Sequence, residues 1–232
     1  MKIFKYQVWH FLILLILLIG VYFCISMDNT LLNGELLGIS SSIWLLLAIL
    51  SPIVHQVYVV VCWRLELHYD SFSKTFGTYG FKVFKLGFGI LIFSRLLTIL
   101  FLAISNSYTL KINIYLAYTL ALILMIPSVY LFYSVKKYFG IDRAFGLDHF
   151  KPEEFKNKSF IKKGIFRYTS NGMYIYGFLI LYIPGLILLS KAALLAALFN
   201  HLYIWVHYYF TELPDIKLIY QQDKKTNSQQ RV

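Results

Sequence analysis

The chain has 232 residues, 59% of them hydrophobic and 14% charged, with a mean hydropathy of +0.64. A soluble domain is about half apolar and about a quarter charged, so the composition excludes the ordinary soluble classes, and 13 Gly with 5 Pro excludes collagen and low-complexity disorder. The net charge of +11 would suggest nucleic acid in a soluble protein; in a membrane protein it belongs to the loops, and no nucleic-acid partner is expected.

A spanning helix takes ~20 apolar residues, which leaves room for about six. The first predicted span is Val8–Ser26, preceded by Lys2 and Lys5; it is too long for a typical cleaved signal and reads as an uncleaved anchor. The second is Leu36–Trp63, broken by Pro52 and carrying His55 and Gln56. The third is Leu86–Ser105, with Arg95 at its middle, and the fourth Ile112–Tyr133, with Pro127 near its end. A polar stretch, Ser134–Gly172, follows. The fifth span is Met173–Leu189 and the sixth Ala192–Phe210; only Ser190 and Lys191 separate them, which dictates an antiparallel helical hairpin. Long continuous apolar runs, without alternation, disfavour a β-barrel. Cys24 and Cys62 give neither a disulfide framework nor zinc spacing, so no metal site is expected. The predicted fold is an all-α membrane protein of about six transmembrane helices, with a C-terminal helical hairpin and a structured cytosolic loop. It divides into 1–133, the four-span N-terminal region, and 134–232, the loop, hairpin and tail.

Orientation follows from charge. With both termini inside, the inner segments hold Lys2, Lys5, Arg64, Lys74, Lys82, Lys85, the bases from Lys136 to Arg167, Lys217, Lys224, Lys225 and Arg231, nineteen of the 22 Lys and Arg. The outer loops hold only Lys111 and Lys191, beside Asp28 and Glu35. This asymmetry places both termini in the cytoplasm, in a bacterial inner membrane or, in a eukaryote, the endoplasmic reticulum.

The polar stretch is rich in aromatics, among them Tyr138, Phe139, Phe145, Phe150, Phe155, Phe160, Phe166 and Tyr168. Such a pattern can lie on a membrane surface with bases toward anionic headgroups; an ordinary positive-inside loop accounts for its Lys residues equally well. A short hairpin brings the two inner ends of the last spans together, so Arg167, Asn171, Tyr174, Glu212 and Asp215 should cluster at the cytoplasmic interface. An Arg, an amide and carboxylates at one point can hold a ligand of both charge signs, the carboxylates accepting from ribose hydroxyls or an amino group. Helix capping explains the same residues: Asn171 or Ser170 starting one span, Pro214 ending the other.

At these residues the chain resembles the integral-membrane methyltransferases that include the phosphatidylethanolamine (phospholipid) N-methyltransferases and the isoprenylcysteine carboxyl methyltransferases. The first block stands as Arg167-Tyr168-Thr169-Ser170-Asn171-Gly172-Met173-Tyr174-Ile175-Tyr176-Gly177, with Gly172 in place of the usual Pro. The second stands as Glu212-Leu213-Pro214-Asp215-Ile216-Lys217-Leu218-Ile219-Tyr220, with Leu213 in place of a second Glu. Tyr138-Phe139-Gly140-Ile141 is a third, weaker match. The resemblance implies S-adenosylmethionine as cofactor, held by Asn171, Gly172, Met173, Tyr174, Gly177 and Glu212. Pro214 and Tyr220 fit the phospholipid branch, which implies a membrane lipid as substrate and phosphatidylethanolamine as its most fitting form. The alternatives are an isoprenylcysteine methyltransferase and a non-enzymatic transporter or scaffold. Glu212, His207 and His149 are the catalytic candidates for removing an amine proton, with Asp148 behind them; a lone Asp-His pair is also a common structural motif. His201 and His207 lie on different faces of the last span, and His207, nearer the cytoplasm, is taken to line the pocket. Arg143, Arg167 and Tyr220 are the candidates for holding the lipid, the arginines through its phosphate. Asp215 is placed just outside the pocket. Arg95 and His55 are costly inside a span and should face the protein interior, along a lateral lipid path or a transporter's polar pathway.

Overall fold

The computed structural model describes residues 2–159 and 161–220. Phe160 and the tail bases Lys224, Lys225 and Arg231 lie outside the described residues. Among the described residues, four helices are long and apolar enough to cross a membrane. Helix α1 (Gln7–Met27) buries His10 and Leu14, packs Ile13, Leu17 and Val21 against the core, and exposes apolar side chains such as Ile16, Ile19 and Phe23 on its other face. Helix α2 (Ser41–Tyr69) is the central pillar. A short α3 (Ser71–Phe76) turns the chain into α4 (Gly80–Ser105), and α5 (Ile114–Ser134) follows. The last two helical arms are shorter: α6, Gly172–Ile187, and α7, Lys191–His207. The hairpin is therefore present, while its arms differ in length from the four clear spans. A π-turn, Tyr208–Glu212, joins α7 to α8 (Leu213–Tyr220).

Helix α2 departs from its expected bounds at both ends. Helix α2 begins at Ser41 instead of Leu36 because two short strands, β1 (Glu35–Leu36) and β2 (Ile39–Ser40), pair across a tight turn. Leu37 and Gly38 both have positive φ, 57° and 72°, the conformation of a two-residue hairpin turn. At its other end α2 runs on to Tyr69, and Arg64, counted as a loop base, is inside it and buried. The Glu66 carboxylate stands at the start of α3 and accepts from the backbone N–H of Phe72 and Ser73 and from the Ser73 hydroxyl.

Prolines do not break the helices as the sequence suggests. Proline frees the carbonyl four residues earlier, and in a membrane that carbonyl needs another donor. Pro52 frees Ala48 O, which accepts from the Asn200 amide of α7 at 3.3 Å. Pro214 frees Phe210 O, which accepts from Arg64 Nη2 at 3.1 Å and Gln7 Nε2 at 3.2 Å. Helix therefore continues past Pro214 to Tyr220. Both rescues cross between helices, so the prolines become docking points.

The core lies where α1, α2, α4 and α7 meet. Ala192, Ala193, Ala196 and Ala197 form a fully buried stripe of small residues on α7, against Trp44, Leu45 and Ala48 of α2 and Ile99 and Leu102 of α4. At one end Asn106 joins three segments, donating to Thr30 O and Asn33 O and accepting from Ser190 Oγ and Ala192 N. Ser190 caps α7 by accepting from Ala193 N. Lys191 pairs with Asp28 at 2.6 Å at this same end. At the opposite end Arg64 donates to Ile3 O, Lys5 O and Phe210 O and pairs with Asp215, so the N-terminal segment and α8 share one end of the bundle.

The segment between α5 and α6 is folded as short helical turns, including Ile141–Ala144, Leu147–Phe150 and Pro152–Phe155. Gly146 packs flat on Trp63: it has φ +86°, and a Cβ there would fall 2.4 Å from indole carbons. Gly146→Ala should therefore lower thermal stability by about 1–3 kcal/mol through overpacking, with added strain from the left-handed backbone. A melting curve in detergent checks this; an unchanged midpoint would mean that the loop does not pack on Trp63.

Candidate functional site

A cavity of about 530 Å³ lies between α2, α4, α5 and the hairpin, within the range of ligand sites. One end is polar and buried: His55, Gln56 and Arg95. The opposite end, toward the base-rich face, is bounded by Tyr174, His207, Glu212 and Lys136. The wall between is apolar. Three of its members, Ile92 and Leu96 of α4 and Phe132 of α5, are also exposed on the outer surface of the bundle. The cavity thus opens sideways between α4 and α5, through an exposed apolar surface.

The two sequence blocks meet at the base-rich end. The Tyr174 hydroxyl donates to the Glu212 carboxylate, joining the start of α6 to the π-turn after α7. Burial pushes the Glu212 carboxyl up to about 7; neighbouring Asp148 and Asp215 push the same way, while the Tyr174 hydrogen bond and His149 oppose them. This carboxyl therefore changes charge near neutral pH. Asn171 accepts through its backbone carbonyl from Tyr174 N and Ile175 N, so it does start the helix, but its side chain makes no cap and reaches Tyr208 instead. Gly172 is packed on Ile165 and Phe166. Met173 and Gly177 line the cavity, and a Cβ at Gly177 would meet Leu131 at 2.9 Å.

His207 is buried and lines the cavity, with Nδ1 lacking a partner among the described residues. His201 faces elsewhere, hydrogen-bonded to Tyr174 O at 2.9 Å. His149 does not line the cavity: it stacks behind Trp63 with ring centroids 4.1 Å apart and pairs with Asp148 at 3.0 Å. Burial alone would lower the His149 pKa, but Asp148, Asp215 and Glu212 outweigh it and hold it above its usual value. Asp148 is held low in turn: burial opposes this, and His149, Tyr220 and Arg143 prevail.

The residues assigned to the lipid do not converge on the cavity. Tyr220 donates to Asp148 at 3.0 Å and accepts from Arg143 at 3.1 Å. Arg143 lies over Phe139 and Phe155 and lines a second pocket, at the base-rich end, with Lys85, Lys136 and Lys158. Arg167 is exposed and lines neither pocket, because the backbone turns between it and Asn171. Asp215 is outside the cavity as expected, yet it is buried against Arg64 at 3.2 Å, with His149 Nε2 at 3.8 Å. Sequence reasoning missed Trp63 and Lys136 as cavity residues: a Trp in a span and a Lys in an inner loop are both commonplace.

The family model for phospholipid methyltransferases matches residues 116–223. The match takes in nearly all of α5, the folded loop, the hairpin and the π-turn, and so both blocks that meet at the base-rich end of the cavity; it bears out the family resemblance. No curated protein and no solved structure matches the chain.

Proposed function

We propose, from the phospholipid methyltransferase match as premise, that this integral membrane protein transfers a methyl group from S-adenosylmethionine to the amine of phosphatidylethanolamine, with both termini cytoplasmic. One observation carries the reading: a cavity open to lipid on one side ends at Tyr174 and Glu212, one from each block. The buried residues fit a polar cofactor. His207 and Trp63 line the cavity, and their Nδ1 and Nε1 are without partners among the described residues, where buried polar atoms normally find one. Met173, Tyr174, Gly177 and Glu212, which line the cavity, would hold the cofactor, while Asn171 and Gly172 lie outside the lining and act through the turn they form; when bound the cofactor supplies a methyl group already activated on a sulfonium.

The chain's own part is alignment, dryness and one proton. The apolar side chains that line the opening between α4 and α5, Ile92, Leu96 and Phe132, keep water out on the lipid side. An ammonium must lose a proton before its nitrogen can attack, and Glu212, with a pKa of about 7, is suited to take it at Oε. Tyr174 fixes that carboxylate by donating to it. His207 offers a second ring nitrogen at the same end. His149 acts on the site only through Trp63 and the neighbouring carboxylates. The reading is tested by expressing the protein in a host without methylated phospholipids. Mono-, di- or trimethylated phosphatidylethanolamine should appear; methylation of prenylcysteine analogues alone would assign the other branch.

A further inference from the structure

The polar floor of the cavity has no role in the chemistry above. Arg95 is 2% exposed at the middle of α4. Its Nε donates to Asn200 Oδ1 at 2.9 Å, its Nη1 meets His55 Nδ1 at 3.2 Å, and its plane lies over Phe178 at 5.0 Å. All of these partners are neutral, and among the described residues no carboxylate pairs with it. Its Nη2 has no partner among the described residues, and neither does His55 Nε2. Guanidinium can only donate, so His55 Nδ1 is the acceptor in their bond. The neutral ring then carries its hydrogen on Nε2. Arg95 and His55 therefore present unmet donors to the floor, two hydrogens of Nη2 and one of Nε2, beside Gln56 and below an apolar wall. A ligand that satisfies it brings acceptor oxygens to mid-membrane depth.

Depth identifies those oxygens. Asn200 holds Arg95 from α7, and His207 is seven residues further along the same helix, a rise of about 10 Å at 1.5 Å per residue. In a glycerolipid whose amine is at the His207 and Glu212 end, the ester carbonyls lie below it by the length of the headgroup, a distance of the same order. We propose that Arg95 and His55 bind the ester carbonyls of a diacyl glycerolipid that enters between α4 and α5, and so select ester-linked over ether-linked lipid. This rests on the phospholipid reading and deepens it, because an ether lipid with the same headgroup presents no carbonyl at that level. It also explains why a buried cation is present where no counter-ion is.

The test compares dioleoyl phosphatidylethanolamine with its di-ether analogue in mixed micelles, by transfer of labelled methyl groups. A hydrogen bond to a charged donor is worth about 1.5–3 kcal/mol, or roughly 10- to 150-fold. The native protein should favour the ester lipid in kcat/KM by at least about tenfold. Arg95→Gln should lose most of that preference by slowing the ester lipid while leaving the ether lipid near its native value; His55→Phe should do the same more weakly. Equal use of both lipids by the native protein overturns the proposal without any variant. So does an Arg95→Gln variant that weakens S-adenosylmethionine binding and leaves the ester preference intact, since the floor would then serve the cofactor. Methylation of neither lipid would overturn the phospholipid reading itself, a result distinct from equal use of both.

Discussion

Glu212→Gln should lose about 100-fold or more of methyl transfer while the protein stays folded, because a positioned general base contributes roughly 10²- to 10⁴-fold. The pH dependence makes the expectation sharper. The Glu212 carboxyl is raised to about 7, so below that pH it is protonated and cannot accept from the ammonium. The native rate should rise with pH up to about 7 from this cause, and Glu212→Gln should lack that limb. Stability moves the opposite way. A raised carboxyl pKa means that ionisation costs the folded state, so the native protein should lose stability as pH rises from 4.5 through about 7, and the Gln variant should lose less. A pH–rate limb that survives in Glu212→Gln would transfer the proton role to another group, with His207 next in line. Tyr174→Phe supplies the companion measurement: it removes the donor that fixes the carboxylate, and it should reduce turnover more than it alters the fold.

The largest stability effect should come from Arg64. It is 1% exposed, donates to three backbone carbonyls and pairs with Asp215. Arg64→Leu would leave a buried carboxylate without its cation and free the Phe210 carbonyl that Pro214 had already deprived of a helical partner. Removing one partner of a buried ion pair costs about 3–5 kcal/mol. The melting temperature in detergent should fall accordingly. Adding Asp215→Leu should recover part of the loss, since the stranded charge goes with it. Asp215→Asn alone should therefore destabilise the protein even though Asp215 lies outside the cavity. A melting temperature unchanged in Arg64→Leu would mean that the N-terminal segment and α8 are not joined through this side chain.

Much of the fold is legible in the sequence because long apolar runs have one physical use. The hairpin follows from a two-residue gap at Ser190 and Lys191, where a Ser side chain caps the next helix. Pro52 and Pro214 mislead for a specific reason. Sequence shows the hydrogen bond that each removes, but not Asn200, Arg64 and Gln7, which arrive from other helices to replace it. The meeting of Tyr174 and Glu212 was legible, because hairpin geometry alone brings those ends together. Arg167 was not: it is four residues from Asn171, and whether it turns inward depends on backbone conformation that no spacing encodes. Arg95 and His55 stand out in sequence as ionisable groups at span centres. Their pairing requires α2 and α4 to be neighbours in the right register, and the unpartnered donors appear only once Asn200 is placed beside them.

Incubating the purified protein with methyl-labelled S-adenosylmethionine and vesicles of phosphatidylethanolamine tests the central claim most directly. Label should appear on the amine of the lipid in native protein and equally in Arg167→Gln, since Arg167 is exposed and lines neither pocket; it should be reduced in Asn171→Asp, since Asn171, although outside both linings, starts the turn that presents Tyr174 to the cavity. Retention of S-adenosylmethionine without any label in lipid would contradict the proposed substrate, and failure to bind S-adenosylmethionine at all, in protein shown to be folded, would contradict the account at its root.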